Sequence, residues 1–198
     1  MRLFRWPGKV LAAVFVLSFN HSAVYAEDTF TWFGQEATGN WLAGLKVTSM
    51  QNGRDGYDDA SNLGLVLGYQ FSREVGDGGS ANIEFEFSSS FDDGSVAANK
   101  AFGVAGDWNA DNIGLFFTYQ SVGTVYFKGK LGLLKSEVNT TLVNGQTFAQ
   151  DDTNFGYGAG IGIRLGEADN FRLELEFLGS NSDNDLGSIS LGGLYLFK

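Results

Sequence analysis

The segment Phe171-Arg172-Leu173-Glu174-Leu175-Glu176-Phe177 alternates apolar and charged residues without a break. Successive side chains of a β-strand point to opposite faces, so this stretch folded as a strand has one wholly apolar face and one wholly charged face. A helix would scatter both kinds around its surface. The same period of two recurs toward the N-terminus, in Leu63, Leu65, Leu67, Tyr69 and Phe71 and in Ile83, Phe85 and Phe87, always with the bulky apolar residues at odd positions. Five more segments repeat it: Trp41 to Val47, Ile113 to Tyr119, Val125 to Leu133, Phe155 to Leu165, and Ile189 to Phe197. Together they predict eight strands, each close to the roughly 9 to 11 residues of a tilted membrane-spanning strand.

The first 26 residues read differently. Arg2, Arg5 and Lys9 precede the apolar run Val10 to Phe19, and Val24-Tyr25-Ala26 stands before Glu27. This is the form of a secretory signal with cleavage after Ala26, which leaves 27–198 as the mature domain. The run is too short to cross a bilayer as a helix, which takes roughly 20 residues. Cleavage takes away three of the 13 basic residues, none of the 23 acidic ones, the only His (His21) and the only Pro (Pro7), so the formal charge moves from −10 to −13. Nucleic-acid binding relies on Lys and Arg neutralising phosphates, and such a surface argues against it. With no Cys in the chain, disulfides, thiolate metal sites, thiol catalysis and a lipid-modified Cys anchor are all excluded. Neither a cofactor nor a metal is expected.

Alternation alone fits a soluble barrel with its apolar face inward as well as a membrane barrel with that face outward. The even positions decide between them. They carry Lys46, Glu84, Glu86, Lys128, Lys130, Arg164, Arg172, Glu174 and Glu176, and also a row of four glycines, Gly156, Gly158, Gly160 and Gly162. Glycine weakens a strand and packs nothing, so four in a row gain little on a water-facing surface, whereas inside a narrow barrel they make room. Aromatic residues at odd positions cluster at the strand ends: Trp41, Tyr69, Phe71, Tyr119, Phe127, Phe171, Tyr195 and Phe197 at one end, Phe87, Phe155, Tyr157 and Phe177 at the other. Two aromatic girdles around an aliphatic band match the two interfaces of a bilayer. Hydrocarbon offers no partner to an unpaired backbone group, so the sheet is expected to close, the eighth strand pairing antiparallel with the first.

Connection lengths orient the barrel. The segments Gln51 to Ala60, Ser90 to Asn112, Lys135 to Asp152 and Ser180 to Asp185 follow the odd-numbered strands; the generally shorter Ser72 to Gly79, Gln120 to Thr124 and Gly166 to Asn170 follow the even ones. Outer-membrane barrels have short periplasmic turns and longer outer loops, which places the first set outside. Phe102, Val104 and Trp108 fall within Ser90 to Asn112, so the fourth strand has room to begin earlier than Ile113. Residues 27–39, with Phe30, Trp32 and Phe33, read either as a periplasmic lead-in or as an early start to the first strand.

The C-terminus Ser190-Leu191-Gly192-Gly193-Leu194-Tyr195-Leu196-Phe197 resembles the assembly signal of the OmpA-like family of small outer-membrane β-barrels: polar, any, Gly, two of any kind, aromatic or apolar, any, aromatic. In motif the resemblance covers this last strand, with Ser190, Gly192, Tyr195 and Phe197 as the signal residues; in architecture it covers the chain from about Asn40. Lys198 follows the aromatic on which the family usually ends. The resemblance implies a closed, antiparallel, eight-stranded transmembrane barrel in the outer membrane. It also implies lipid and lipopolysaccharide as surroundings, the barrel assembly machinery as a partner during insertion, and a monomer. No peptidoglycan-binding domain is expected after Phe197, and with it none of that family function. Some barrels of this size are enzymes acting on lipid A through a His beside a Ser, and the mature chain has no His. A serine without a positioned base is a weak nucleophile, so no catalytic residue is assigned and no enzyme is expected.

The charges at even positions remain as the candidate site. One reading is an ion-selective pore; the other is a salt-bridge plug in a lumen that side chains fill, as eight strands enclose little more than that. Geometry favours the plug, with a narrow channel for small solutes or ions as the alternative. Outer acids such as Asp55, Asp58, Asp59, Asp92, Asp93, Asp151, Asp152, Asp183 and Asp185 could gather divalent cations, but none has the spacing of an EF-hand loop, and solvated loops account for them. The expected role is structural or surface-interacting, with an unidentified ligand chosen by the outer loops.

Overall fold

The computed structural model describes residues 28–198 apart from 33–34, 76–77, 99–102, 167–168 and 182–185. The proposed signal, Phe33, Phe102, Asp183 and Asp185 therefore lie outside the described residues.

Among the described residues ten strands form the sheet: β1 Asp28–Trp32, β2 Gln35–Asn52, β3 Ala60–Val75, β4 Gly79–Asp92, β5 Gly94–Val96, β6 Gly106–Gln120, β7 Val125–Leu142, β8 Thr147–Leu165, β9 Phe171–Ser180 and β10 Leu186–Leu196. Eight of them make a closed antiparallel ring in the order β2, β3, β4, β6, β7, β8, β9, β10, and back to β2. Eleven register pairs, from Leu186 opposite Asn52 to Leu196 opposite Leu42, stitch the last strand to the first. This is the expected eight-stranded barrel, with every wall hydrogen-bonded on both edges across the apolar band.

The odd-even rule holds around the ring. Leu45, Leu115, Leu131 and Leu175 are about half exposed on the outer face, whereas Glu84, Asn82 and Thr118 at even positions have no exposure. A water-soluble protein arranged this way would leave its apolar surface in water and its charges desolvated. In a bilayer both faces are matched to their surroundings.

Several strands extend past the segments seen in the alternation. β6 begins at Gly106, and within Ser90 to Asn112 the short β5 pairs with it through Gly94 opposite Trp108. Lys135 to Asp152, expected as a loop, is instead the top of a β7–β8 hairpin that runs in register up to Thr141 opposite Thr147. Its turn is built on Asn144 and Gly145, with Gly145 at φ 86° and the Asn144 side chain accepting from the Gln146 N–H at 3.0 Å. Polar residues hid this extension: on β8 both faces are exposed from Thr147 to Asp151, and the buried inward positions of β7 alternate Ser136 and Thr140 with Val138 and Leu142, which blurs the apolar period. At the opposite end residues 35–39 are an early start to the first barrel strand, and β1 pairs antiparallel with them, from Asp28 opposite Gly39 to Trp32 opposite Gln35.

Candidate functional site

The four lumen glycines of β8 each lie under a large side chain. A Cβ on Gly162 would fall 2.3 Å from the Tyr126 ring, on Gly156 2.9 Å from Phe116, on Gly158 2.9 Å from Lys130 and on Gly160 2.9 Å from Glu176. Their missing side chains leave the space that the lumen contents occupy.

Those contents form layers along the barrel. The middle layer is ionic. Lys46 on β2 bonds Glu86 at 2.8 Å and pairs with Glu176; Lys128 on β7 reaches Glu84 and Glu174 at 2.8 Å and Glu176 at 2.5 Å; Lys130 pairs with Glu86 and reaches Glu176 at 3.0 Å. The glutamates stand on β4 and β9, so each pair spans the lumen between walls that are not neighbours. Lys46, Lys128, Lys130, Glu84, Glu174 and Glu176 are all buried. Such charges leave water at a cost of several kcal/mol each, which the multiple pairings offset.

Arg172 and Arg164 lie farther toward the short turns, outside this lysine–glutamate set. Arg172 donates to Gln120 at 2.8 Å and Gln70 at 2.7 Å. Arg164 donates to the Ser121 carbonyl at 3.0 Å and to that of Gly123, and its guanidinium sits 4.5 Å from the Tyr126 ring centre. Between the two groups Glu174 accepts from Tyr126 at 2.5 Å and from Gln120 at 3.2 Å.

Toward the long-loop end the lumen turns apolar. Met50, Ala60, Val96, Trp108, Ala110, Val138 and Leu186 form one buried cluster, with Tyr57 packed against it. The Trp108 indole N–H donates to the Asp58 carbonyl at 2.6 Å, and the segment around Asp58 pairs with β5 through Asp58 N–H to Ser95 O at 2.9 Å and Ala97 N–H to Gly56 O at 2.7 Å. The segment Gln51 to Ala60 thus folds against β5 over this cluster. Beneath it is a cavity of about 50 Å³ bordered by Thr48, Ser88, Asn112 and Ser136, above the Lys46–Glu86 pair.

Sequence reasoning found the charged layer by parity but missed Phe116, Tyr126 and Trp108. Each is a large aromatic at an even position, so parity already assigned it to the lumen, while its hydrophobicity pulled the reading toward lipid or loop. At the seam, Ser190 is buried on the lumen side, a Cβ on Gly192 would fall 2.9 Å from the Lys46 stem, and Tyr195 stands outward with its ring edge on Phe197, 5.0 Å between centres. Of the outer acids, Asp58 and Asp59 accept from Ser95 at 2.5 Å and Ser49 at 2.8 Å. Among the described residues no three acidic or other metal-ligating side chains converge on a common point.

Comparison with known proteins agrees with this architecture. The family model for the outer membrane protein beta-barrel domain matches residues 10–196. Among solved structures, Ail, the attachment invasion locus protein of Yersinia pestis, crystallised with the heparin analogue sucrose octasulfate, is 17% identical with a TM-score of 0.53 over 80% of this chain and 97% of that one. OprG of Pseudomonas aeruginosa is 13% identical with a TM-score of 0.52 over 81% and 97% of the two chains. The N-terminal barrel of OprF from the same organism is 16% identical with a TM-score of 0.51 over 80% and 99%. At these identities the likeness speaks to fold. A search of the curated proteins finds no match. The family and these neighbours are outer-membrane barrels rather than typical enzymes. With a closed eight-stranded ring, an apolar outer face and a family match over nearly its whole length, the chain belongs to the outer membrane protein β-barrel domain family.

Proposed function

We propose that this protein is a closed-lumen scaffold of the outer membrane that works through the structure it raises above the bilayer rather than by passing solutes. The observation that carries this reading is the set of cross-lumen ion pairs from Lys46, Lys128 and Lys130 to four glutamates, backed on the long-loop side by the Trp108 cluster. A diffusing ion would have to separate buried partners, each of which is costly to leave unpaired. Planar-bilayer recordings of the purified protein are expected to show no stable, large openings. Steady single-channel steps would favour the narrow-pore alternative.

In this reading residues 1–26 direct export and are removed, and 27–198 insert as a monomer among lipid and lipopolysaccharide. The assembly machinery reads Ser190, Gly192, Tyr195 and Phe197, and the short turns face the periplasm. The chain performs no catalysis and binds no nucleic acid. The β7–β8 hairpin, paired in register up to Thr141 opposite Thr147 on the long-loop side, offers the recognition surface. Ail was crystallised with a sulfated sugar. Here the corresponding end carries Asp55, Asp58, Asp59, Asp92, Asp93, Asp151 and Asp152, which repel polyanions and favour a neutral or cationic ligand. Heparin-affinity chromatography at low salt is expected to show no retention.

A further inference from the structure

The short-turn end of the lumen is an open cup of about 610 Å³, lined among others by Gln70, Ser80, Thr124, Arg164 and Arg172. Arg164 and Arg172 are register partners on β8 and β9, and both occupy even, lumen-directed positions. Residues paired this way hold their Cβ atoms about 4.5–5.5 Å apart, and like charges so placed destabilise a sheet. An interposed acid would relieve the repulsion. The bonds these two guanidiniums make among the described residues go instead to neutral oxygens, those of Gln120, Gln70, Ser121 and Gly123. The next lumen-facing residue of β9, Glu174, has one oxygen taken by Tyr126 and Gln120 and the other by Lys128. Asp169 also lines the cup, as does the C-terminal Lys198, which carries both an ammonium and a terminal carboxylate, and neither residue is among the hydrogen-bond partners of the two guanidiniums. Arg172 is 4% exposed, and its Nε is buried without a hydrogen-bond acceptor among the described residues.

Two adjacent cations that bond only neutral oxygens among the described residues, a buried N–H donor and an open approach from one side make a site suited to an anion. We infer that the cup binds an oxyanion, a carboxylate or phosphate group held between Arg164 and Arg172. The planar guanidinium suits such groups because it donates two parallel hydrogen bonds to paired oxygens. The anion comes either as a small solute along the barrel axis or as the headgroup phosphate of a neighbouring lipid; the chemistry is shared, and the sources separate by experiment.

The full-length barrel is folded in a non-ionic maltoside detergent, which contains no phosphate, and isotopically labelled for amide NMR. Inorganic phosphate, and separately succinate, is titrated against chloride at constant ionic strength. Saturable shifts at Gly123, Thr124, Arg164 and Arg172, absent with chloride, are expected. Arg164→Gln and Arg172→Gln should each weaken the binding about tenfold or more, as loss of a charge-assisted hydrogen bond does. Should Arg172→Gln fail to fold, the half-buried Arg164 at the rim carries the comparison alone. The same shifts in phospholipid nanodiscs without added phosphate would identify the headgroup as the source; their appearance there only after phosphate is added would identify the solute. Shifts that stay linear with concentration, that chloride reproduces, or that survive Arg164→Gln unchanged would overturn the inference.

Discussion

A lysine ammonium has three donors, and Lys128 spends them on Glu84, Glu174 and Glu176, all within 2.8 Å. Replacing it by methionine keeps the stem but leaves three buried carboxylates facing one another. Lys128→Met is expected to cost about 3–5 kcal/mol, measured as a shift in urea unfolding of the vesicle-inserted barrel. Adding Glu84→Gln and Glu174→Gln should recover part of the loss, because fewer charges then lack a partner. Gly162 makes a separate case, since a Cβ there would strike the Tyr126 ring. Gly162→Val is expected to destabilise by about 1–3 kcal/mol through overpacking in the same assay, whereas Gly129→Val, where a Cβ meets open space, should change little. Parity made the ionic residues legible, because a charge every second residue can face only one side of a strand. It did not reveal which partners they choose. Glu84, Glu86, Glu174 and Glu176 lie on the same parity, and only the curvature of the ring sets which lysine each one meets.

The β7–β8 hairpin shows how an element can be present in a sequence and still be misread. From Lys135 to Asp152 the residues are mostly polar, so the period-two signal fades, although Asn144-Gly145 is a hairpin-turn signal, realised here as a three-residue loop between Leu142 and Gln146 with Gly145 at positive φ. Above the bilayer a strand needs no apolar face; its stability comes from pairing and from the few residues, such as Val138 and Leu142, that turn inward and are buried. Removing residues 140–148 and joining Asn139 to Ala149 through an Asn-Gly turn keeps Val138 in its cluster. The shortened protein is expected to retain heat-modifiable migration on gels and outer-membrane fractionation, while any cell-surface binding that the full-length protein supports is lost. The long segment from Ser90 to Asn112 behaves differently because it feeds β5 and Trp108 into the lumen. Trp108→Ala should therefore cost about 3–5 kcal/mol of barrel stability, as for other buried Trp truncations, measured by the same urea titration.

For the molecule as a whole, the decisive act is closure of β10 onto β2. The C-terminal residues contribute both to that seam and, in the proposed reading, to recognition during assembly, and the two roles part under different measurements. Phe197→Ala is expected to lower the amount of barrel assembled in cells while leaving refolding into detergent micelles nearly unchanged, since Phe197 joins the seam through its backbone N–H to the Trp41 carbonyl at 2.8 Å, which alanine keeps, and its ring is half exposed. Eight strands, an apolar outer face, a charged inner face and the closing of first strand to last were all determined by the sequence alone, because period two and the absence of backbone partners in hydrocarbon leave few alternatives. The tertiary structure decided what fills the lumen. It set lysines against glutamates across the walls, seated Phe116 and Tyr126 over the β8 glycines, and placed Trp108 with its apolar cluster toward one end of the lumen. It also brought Arg164 and Arg172 side by side at the other end. Those outcomes depend on the stagger between strands and on distances across a ring, and a one-dimensional alternation carries neither.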